Sequence, residues 1–275
     1  MSVRKIKNTF QGIDTTDGAG VHLKRIIGSS QLDMLDPFLL LDEFGSDHPN
    51  DYIGGFPSHP HRGFETITYM LNGKFRHKDS NGNEGILTEG SVQWMTAGRG
   101  VIHSEMPEQT EGLVRGFQLW LNLPKALKMI QPTYRDIDHS KIPKEDFPGG
   151  TIKIIAGKYN DIEGPGRPHT MMLYHDVNLE KYANFNLPLM DGWNVFIYVY
   201  EGNIVMEKNV SKNNLAILDN FGDLELTTEK DGAKFIIAGG KPLNEPVVRG
   251  GPFVMNTKTE IMQAFSDYQN GELVK

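Results

Sequence analysis

Almost nowhere does this chain space its apolar residues at helical intervals for long. Instead it offers short β-rich runs punctuated by glycine, asparagine and aspartate. Among them are TITYML (66–71), GFQLWLNL (116–123), TIKIIAG (151–157), NVFIYVY (194–200), NIVMEKNV (203–210) and AKFIIAG (233–239). β-branched and aromatic residues pack well on a pleated surface and crowd a helix, so such runs between turn signals predict an all-β sandwich or barrel. Asn72-Gly73, Asn81-Gly82 and Glu201-Gly202 read as hairpin turns, because glycine accepts the positive φ that a tight turn needs.

Two of the runs resemble each other. GFETITYMLNG (63–73) and GWNVFIYVYEG (192–202) share their end glycines, an aromatic second residue and a tyrosine in register, Tyr69 against Tyr198. Two similar β-domains in tandem is the simplest account. The polar, Pro- and Gly-bearing stretch 136–150 then reads as a linker between domains 1–135 and 151–275. Two helices are expected. PKALKMIQ (124–131) carries proline in its first turn. TKTEIMQAFSDYQNG (257–271) has Thr257 and Glu260 in capping-box spacing, an apolar face of Ile261, Ala264, Phe265 and Tyr268, and Gly271 to close it. That C-terminal helix is expected to pack on a barrel wall.

Composition excludes several classes of function. The net charge is −7 with no concentrated basic run, which argues against direct nucleic-acid binding. No apolar run approaches the roughly 20 residues of a membrane helix, and the first residues, MSVRKIKNTF, lack the apolar core of a signal peptide. A cytoplasmic protein without membrane contact is the expectation. Cysteine is absent, so disulfides, thiolate nucleophiles and thiolate metal ligands are excluded.

The chemistry-bearing residues are histidines. PSHPHRGFE (57–65) holds His59 and His61 one residue apart, and GRGVIHSE (98–105) holds His103 and Glu105 at the same spacing. Residues i and i+2 of a strand point to the same side of a sheet. If both pairs face into one barrel, three imidazoles and a carboxylate converge. Such a donor set suits Fe(II), Mn, Ni, Co or Cu, and Zn can also be drawn into it. Parity along 59, 61, 63 and 65 turns Glu65 inward as well. His77 follows the Gly73 turn among charged neighbours and is expected at the surface. His22, His48, His139, His169 and His175 show no partner spacing and read as structural or exposed. Phe56, Trp94, Met95 and Gln118 are candidates for an apolar pocket wall, although Trp94 and Met95 in a strand also suit plain core. Arg62 and Arg99 either steer an anion or pair with acidic neighbours. The register of the repeat maps His59 and His61 onto Pro188 and Met190, a poor metal site.

HPHRGFETITYMLNG, GSVQWMTAGRGVIHSE and the tail GGKPLNEPVVRGGPFVMNTKTEIMQAFSDYQNGE resemble the pirin family of the cupin superfamily, from about residue 20 to the end. The resemblance implies a bicupin: two tandem cupin (RmlC-like jelly-roll) β-barrels, with a mononuclear metal, most simply Fe(II), in the N-terminal one. Carried over residue by residue, the ligands fall on His59, His61, His103 and Glu105, with Glu105 also the catalytic base. Glu65 stands at the glutamate position of the general cupin pattern, as an outer support or alternative ligand. The implied activity is that of a quercetin 2,3-dioxygenase, opening a small aromatic polyphenol with O2. The family also implies a second reading, a non-enzymatic redox-sensing regulator that binds a protein partner through an iron-dependent surface.

Overall fold

The computed structural model describes residues 2–275. It is built of antiparallel strands with one α-helix at the C-terminal end, and it divides into two compact units, neither of them contiguous in sequence. One comprises residues 14–29, 38–139 and 243–275; the other comprises 2–13, 30–37 and 140–242.

The division departs from the expected 1–135, 136–150 and 151–275. The strand Ile6–Gln11 hydrogen-bonds along Asn214–Leu218, so the N-terminal segment belongs to the later unit. The segment 243–275, helix included, belongs to the earlier one. The expected linker is itself structured: Thr133–Ile137 pairs with Val92–Thr96, and Lys144–Phe147 pairs with Gly150–Ala156. Its buried Ile137 and Ile142 supply apolar anchors that its polar composition obscured.

In the first unit a seven-stranded sheet is ordered Thr133–Ile137, Val92–Thr96, Phe64–Asn72, Val114–Asn122, Phe38–Ser46, Val21–Ile27 and Ile13–Asp17. A four-stranded sheet is ordered Phe56–His61, Val101–Pro107, Phe75–Asp79 and Glu84–Leu87. Val21, Leu23, Phe44, Met70 and Val114 of the larger sheet share a core with Phe75 and Leu87 of the smaller. Phe44 meets Phe75 edge-on at 5.5 Å between ring centres, one of the favoured aromatic geometries.

The second unit is a nine-stranded sheet whose longest strand, Leu224–Gly240, pairs with Asn184–Leu187 at one end and with Met172–Leu179 at the other. Gly232 (φ +65°) lies between the two pairings, a position where a side chain would be strained. An apolar core that includes Ile152, Val177, Val195, Ile197, Phe235 and Ile237 lies within this unit.

The internal repeat has a structural counterpart. Tyr69 and Tyr198 are both fully buried on interior strands, each the central strand of its triplet. All four end glycines, Gly63, Gly73, Gly192 and Gly202, have positive φ. The turn readings fare unevenly. Asn81-Gly82 joins the paired strands Phe75–Asp79 and Glu84–Leu87 as a hairpin. Asn72-Gly73 instead carries the chain from one sheet to the other. Glu201-Gly202 lies inside the strand Asn194–Val205, where the register shifts in a bulge; glycine serves bulges as readily as turns.

Of the two expected helices, one forms. Lys258–Gln269 is capped by the reciprocal Thr257–Glu260 box, buries Ile261 and Ala264, and leaves Phe265 and Tyr268 partly exposed. It packs on the short strands Val248–Gly250 and Phe253–Met255. Residues 124–131 make only a single 3₁₀ turn, Lys125–Leu127. Tertiary bonding overrides local propensity there. Lys128 is buried, and its amine donates to the Gly63 carbonyl (2.8 Å), Asn122 Oδ1 (2.7 Å) and the Val254 carbonyl (3.0 Å), while Met129 faces out. Burial lowers the Lys128 pKa to about 8. Among the described residues no helix is long and apolar enough to cross a membrane.

Candidate metal centre

Phe56–His61 and Val101–Pro107 are neighbours in the smaller sheet, with His59 directly opposite His103 and His61 opposite Val101. Strand parity therefore puts His59, His61 and His103 on one face, and a nitrogen from each lies within 4.8 Å of the others. The ring centres are 4.3 to 5.0 Å apart.

The outer nitrogens decide what the inner ones can do. His59 Nδ1 lies 2.8 Å from the Pro57 carbonyl, and His61 Nδ1 lies 3.2 Å from the Pro252 carbonyl. A carbonyl only accepts, so both Nδ1 atoms carry the proton, which in a neutral ring leaves Nε2 as a bare lone pair. Those two Nε2 atoms are 3.0 Å apart. Facing lone pairs at that distance repel unless a cation lies between them. The spacing is that of two nitrogens at right angles around one ion at about 2.1 Å. His103 Nε2 is buried with no hydrogen-bond partner, the kind of orphan that an ion or a water satisfies. Burial, then the neighbouring His59, lowers the His61 pKa to about 3. Burial, then His61, His59 and His77, pushes His103 well below the usual imidazole range. Both rings are thus neutral, as ligation requires. The three histidines fit a borderline transition metal.

Beside them opens a cavity of about 690 Å³. Glu105 lines it, with Oε1 accepting a hydrogen bond of 3.0 Å from Thr68 Oγ1, but its carboxylate stands outside the close histidine cluster. Glu65 is elsewhere: fully buried, it accepts from Thr96 Oγ1 (2.8 Å) and Trp94 Nε1 (3.4 Å) and does not line the cavity. Parity fails for it because the chain turns at Gly63 (φ +91°) and enters the other sheet. A Cβ at Gly63 would meet the Val254 carbonyl oxygen at 2.0 Å. Of the expected wall residues, Phe56 and Gln118 line the cavity, whereas Trp94 and Met95 are buried outside its lining. Arg62 is paired with Asp267 at 2.6 Å and does not reach the cavity.

Three participants escaped the sequence reading. Trp120 lines the cavity and meets His61 edge-on at 5.2 Å; it is the i+2 mate of Gln118, so the same parity rule identifies it. Pro252 comes from a remote segment with no local signal. His77, expected at the surface, is fully buried, stacked on Tyr134 and 3.5 Å from His103. Its signal was the spacing His77-x-Asp79, the same as in the other two pairs.

The family model for pirin matches residues 20–121, and that for the pirin C-terminal cupin domain matches residues 174–274. The chain belongs to the pirin family. It is 47% identical to a Pseudomonas aeruginosa protein provisionally named a quercetin 2,3-dioxygenase, over 98% of each chain. Human pirin is 39% identical, over 98% of this chain and 94% of its own. The crystal structure of a quercetin 2,3-dioxygenase from Acinetobacter baumannii superposes with a TM-score of 0.93 over the whole of both chains, at 34% identity. This pirin is accordingly a two-domain, cupin-type protein with a histidine cluster suited to a metal.

Proposed function

We propose that this pirin is an iron-dependent oxygenase that opens quercetin-type flavonols with O2. The observation that carries the reading is the convergence of three imidazoles beside an apolar-lined cavity that His59 and His61 help to line and that also holds a carboxylate. The likeness to a quercetin 2,3-dioxygenase of known structure supports the same chemistry.

His59, His61 and His103 would hold the ion, with Glu105 as the fourth ligand. A bound Fe(II) supplies Lewis-acid polarisation and an electron path between a chelating substrate and O2. The protein's own groups do the rest. Phe44, Phe56 and Trp120 offer flat apolar surface to a polyphenol. Glu105 takes the proton of the substrate hydroxyl as general base. The hydrogen bond from Thr68 to Glu105 Oε1 holds the carboxylate in position for that transfer. Gln118 Oε1 lies 2.5 Å from the same threonine hydroxyl and shares its single proton with Glu105.

Anaerobic reconstitution with Fe(II), followed by quercetin and O2, tests the reading. Loss of flavonol absorbance with stoichiometric carbon monoxide, abolished by a chelator, is the expected result. Tight iron binding without turnover would overturn it and favour a redox-sensing role.

A further inference from the structure

Behind His103 stands a second pair of residues. His77 and Asp79 lie on the strand Phe75–Asp79, which pairs with Val101–Pro107 so that Asp79 is opposite His103 and His77 opposite Glu105. His103 Nδ1 is 3.5 Å from His77 Nδ1, and His77 Nε2 is 3.4 Å from Asp79 Oδ2. Both side chains are almost completely buried. The His77 ring is held flat on Tyr134, with 4.3 Å between centres and 22° between planes. Asp79 is anchored from the other side: Oδ1 accepts from the backbone N–H of Asn81 (2.9 Å) and Asn83 (3.0 Å), and Oδ2 from Asn83 Nδ2 (2.9 Å).

We propose that Asp79 and His77 are positioning residues that dictate which nitrogen of His103 is bare. A carboxylate only accepts, so His77 must carry its proton on Nε2. A neutral imidazole protonated there has a lone pair on Nδ1 and can only accept from His103. His103 therefore carries its proton on Nδ1, and its Nε2 is left as a lone pair, buried and unpartnered. Carbonyl oxygens set the same tautomer directly for His59 and His61. For His103 the instruction passes through a second imidazole. The two contacts are long, but what they transmit is the direction of a proton, not bond strength. Partners of this kind, one bond behind a ligand, set its orientation and basicity in metal sites generally.

The inference rests on His103 as a metal ligand, and its tests do not depend on flavonol turnover. Long-range ¹H–¹⁵N correlation spectra of the metal-free, ¹⁵N-histidine-labelled protein read the tautomers directly. The expected result is His77 protonated on Nε2 and His103 on Nδ1. The opposite tautomer at either ring overturns the proposal. Asp79→Asn keeps an oxygen for the Asn81 and Asn83 amides but sets an NH₂ before His77 Nε2, which reverses the chain of donors. It is expected to move the His103 proton to Nε2 and weaken cobalt(II) binding, measured by titration calorimetry, by about 10- to 100-fold. His77→Phe preserves the stack on Tyr134 but removes the acceptor, and the same loss is expected. His77→Asn, with a carbonyl oxygen in place of Nδ1, should recover most of the affinity. A purely structural role predicts the reverse order for Phe and Asn. Unchanged cobalt affinity in Asp79→Asn and His77→Phe would likewise overturn the proposal.

Discussion

Arg62, the residue after His61, is itself buried and pairs with the partly exposed Asp267 in the last turn of the C-terminal helix, Nη1 to Oδ2 at 2.6 Å. The same arginine donates from Nε to the Arg99 carbonyl, and its own carbonyl accepts from the Val254 N–H. Together with the Pro252 carbonyl on His61 Nδ1, these contacts tie one end of the strand Phe56–His61 to residues far along the chain. Arg62→Met would leave Asp267 without its cation. Losing a charge-assisted hydrogen bond of this kind costs about 1.5 to 3 kcal/mol. A fall in denaturant midpoint with unchanged m-value checks this; a midpoint within error of the parent would contradict it.

Removing a ligand should empty the site without unfolding the protein. His59→Ala and His103→Ala are each expected to lose most bound metal in elemental analysis while circular dichroism retains the β signature, because the hydrophobic cores of both units stay intact. Stoichiometric metal retained in both variants would contradict the assignment.

Glu105→Gln separates holding metal from using it. The amide oxygen can still accept from Thr68, but it cannot take a proton at neutral pH. Retained iron with flavonol turnover reduced by about 100-fold or more is expected for a lost general base. Turnover equal to the parent would remove Glu105 from that role.

His175 predicts an acid-sensitive second unit. It is fully buried opposite Ile154 and Ile237. Burial lowers its pKa to about 4, against the pull of backbone groups of Lys158 and Tyr174. Between pH 6.5 and 4 the unfolded chain protonates this ring while the folded chain does not. The stability it contributes is therefore complete above about pH 6.5 and is lost as pH falls towards 4, by about 1.4 kcal/mol per pH unit. Depressed values at His61 and His103 act in the same direction in metal-free protein. The measurement is thus a difference: metal-free His175→Leu should show a shallower loss of stability over this interval than its parent, and parallel curves would refute the assignment.

What the sequence disclosed was what local rules govern. His59, His61 and His103 were legible because strand parity needs only spacing, and the C-terminal helix because its capping box lies within four residues. Glu65 was misplaced by extending the same parity across Gly63, where the backbone leaves the sheet. His77 looked like a surface residue beside charged neighbours, yet its strand is covered by Tyr134, which no local pattern reveals. Lys128 ended the expected helix at 124–131 by bonding to Gly63 and Val254, acceptors contributed by other parts of the chain. The expected linker failed for a related reason, since its two strands take their partners from opposite sides of it.

The interleaving of the two units has a consequence for biosynthesis. A chain is made from its N-terminus, and contiguous domains can fold as they emerge. Here the histidines at 59, 61 and 103 emerge well before Pro252 and the helix bearing Asp267. The unit that supplies residues 140–242 has all of its strands while the ribosome is still adding the segment that completes the other. The histidine-bearing unit, though most of it is synthesised first, is finished second, so a fully formed site awaits the synthesis of residues 243–275.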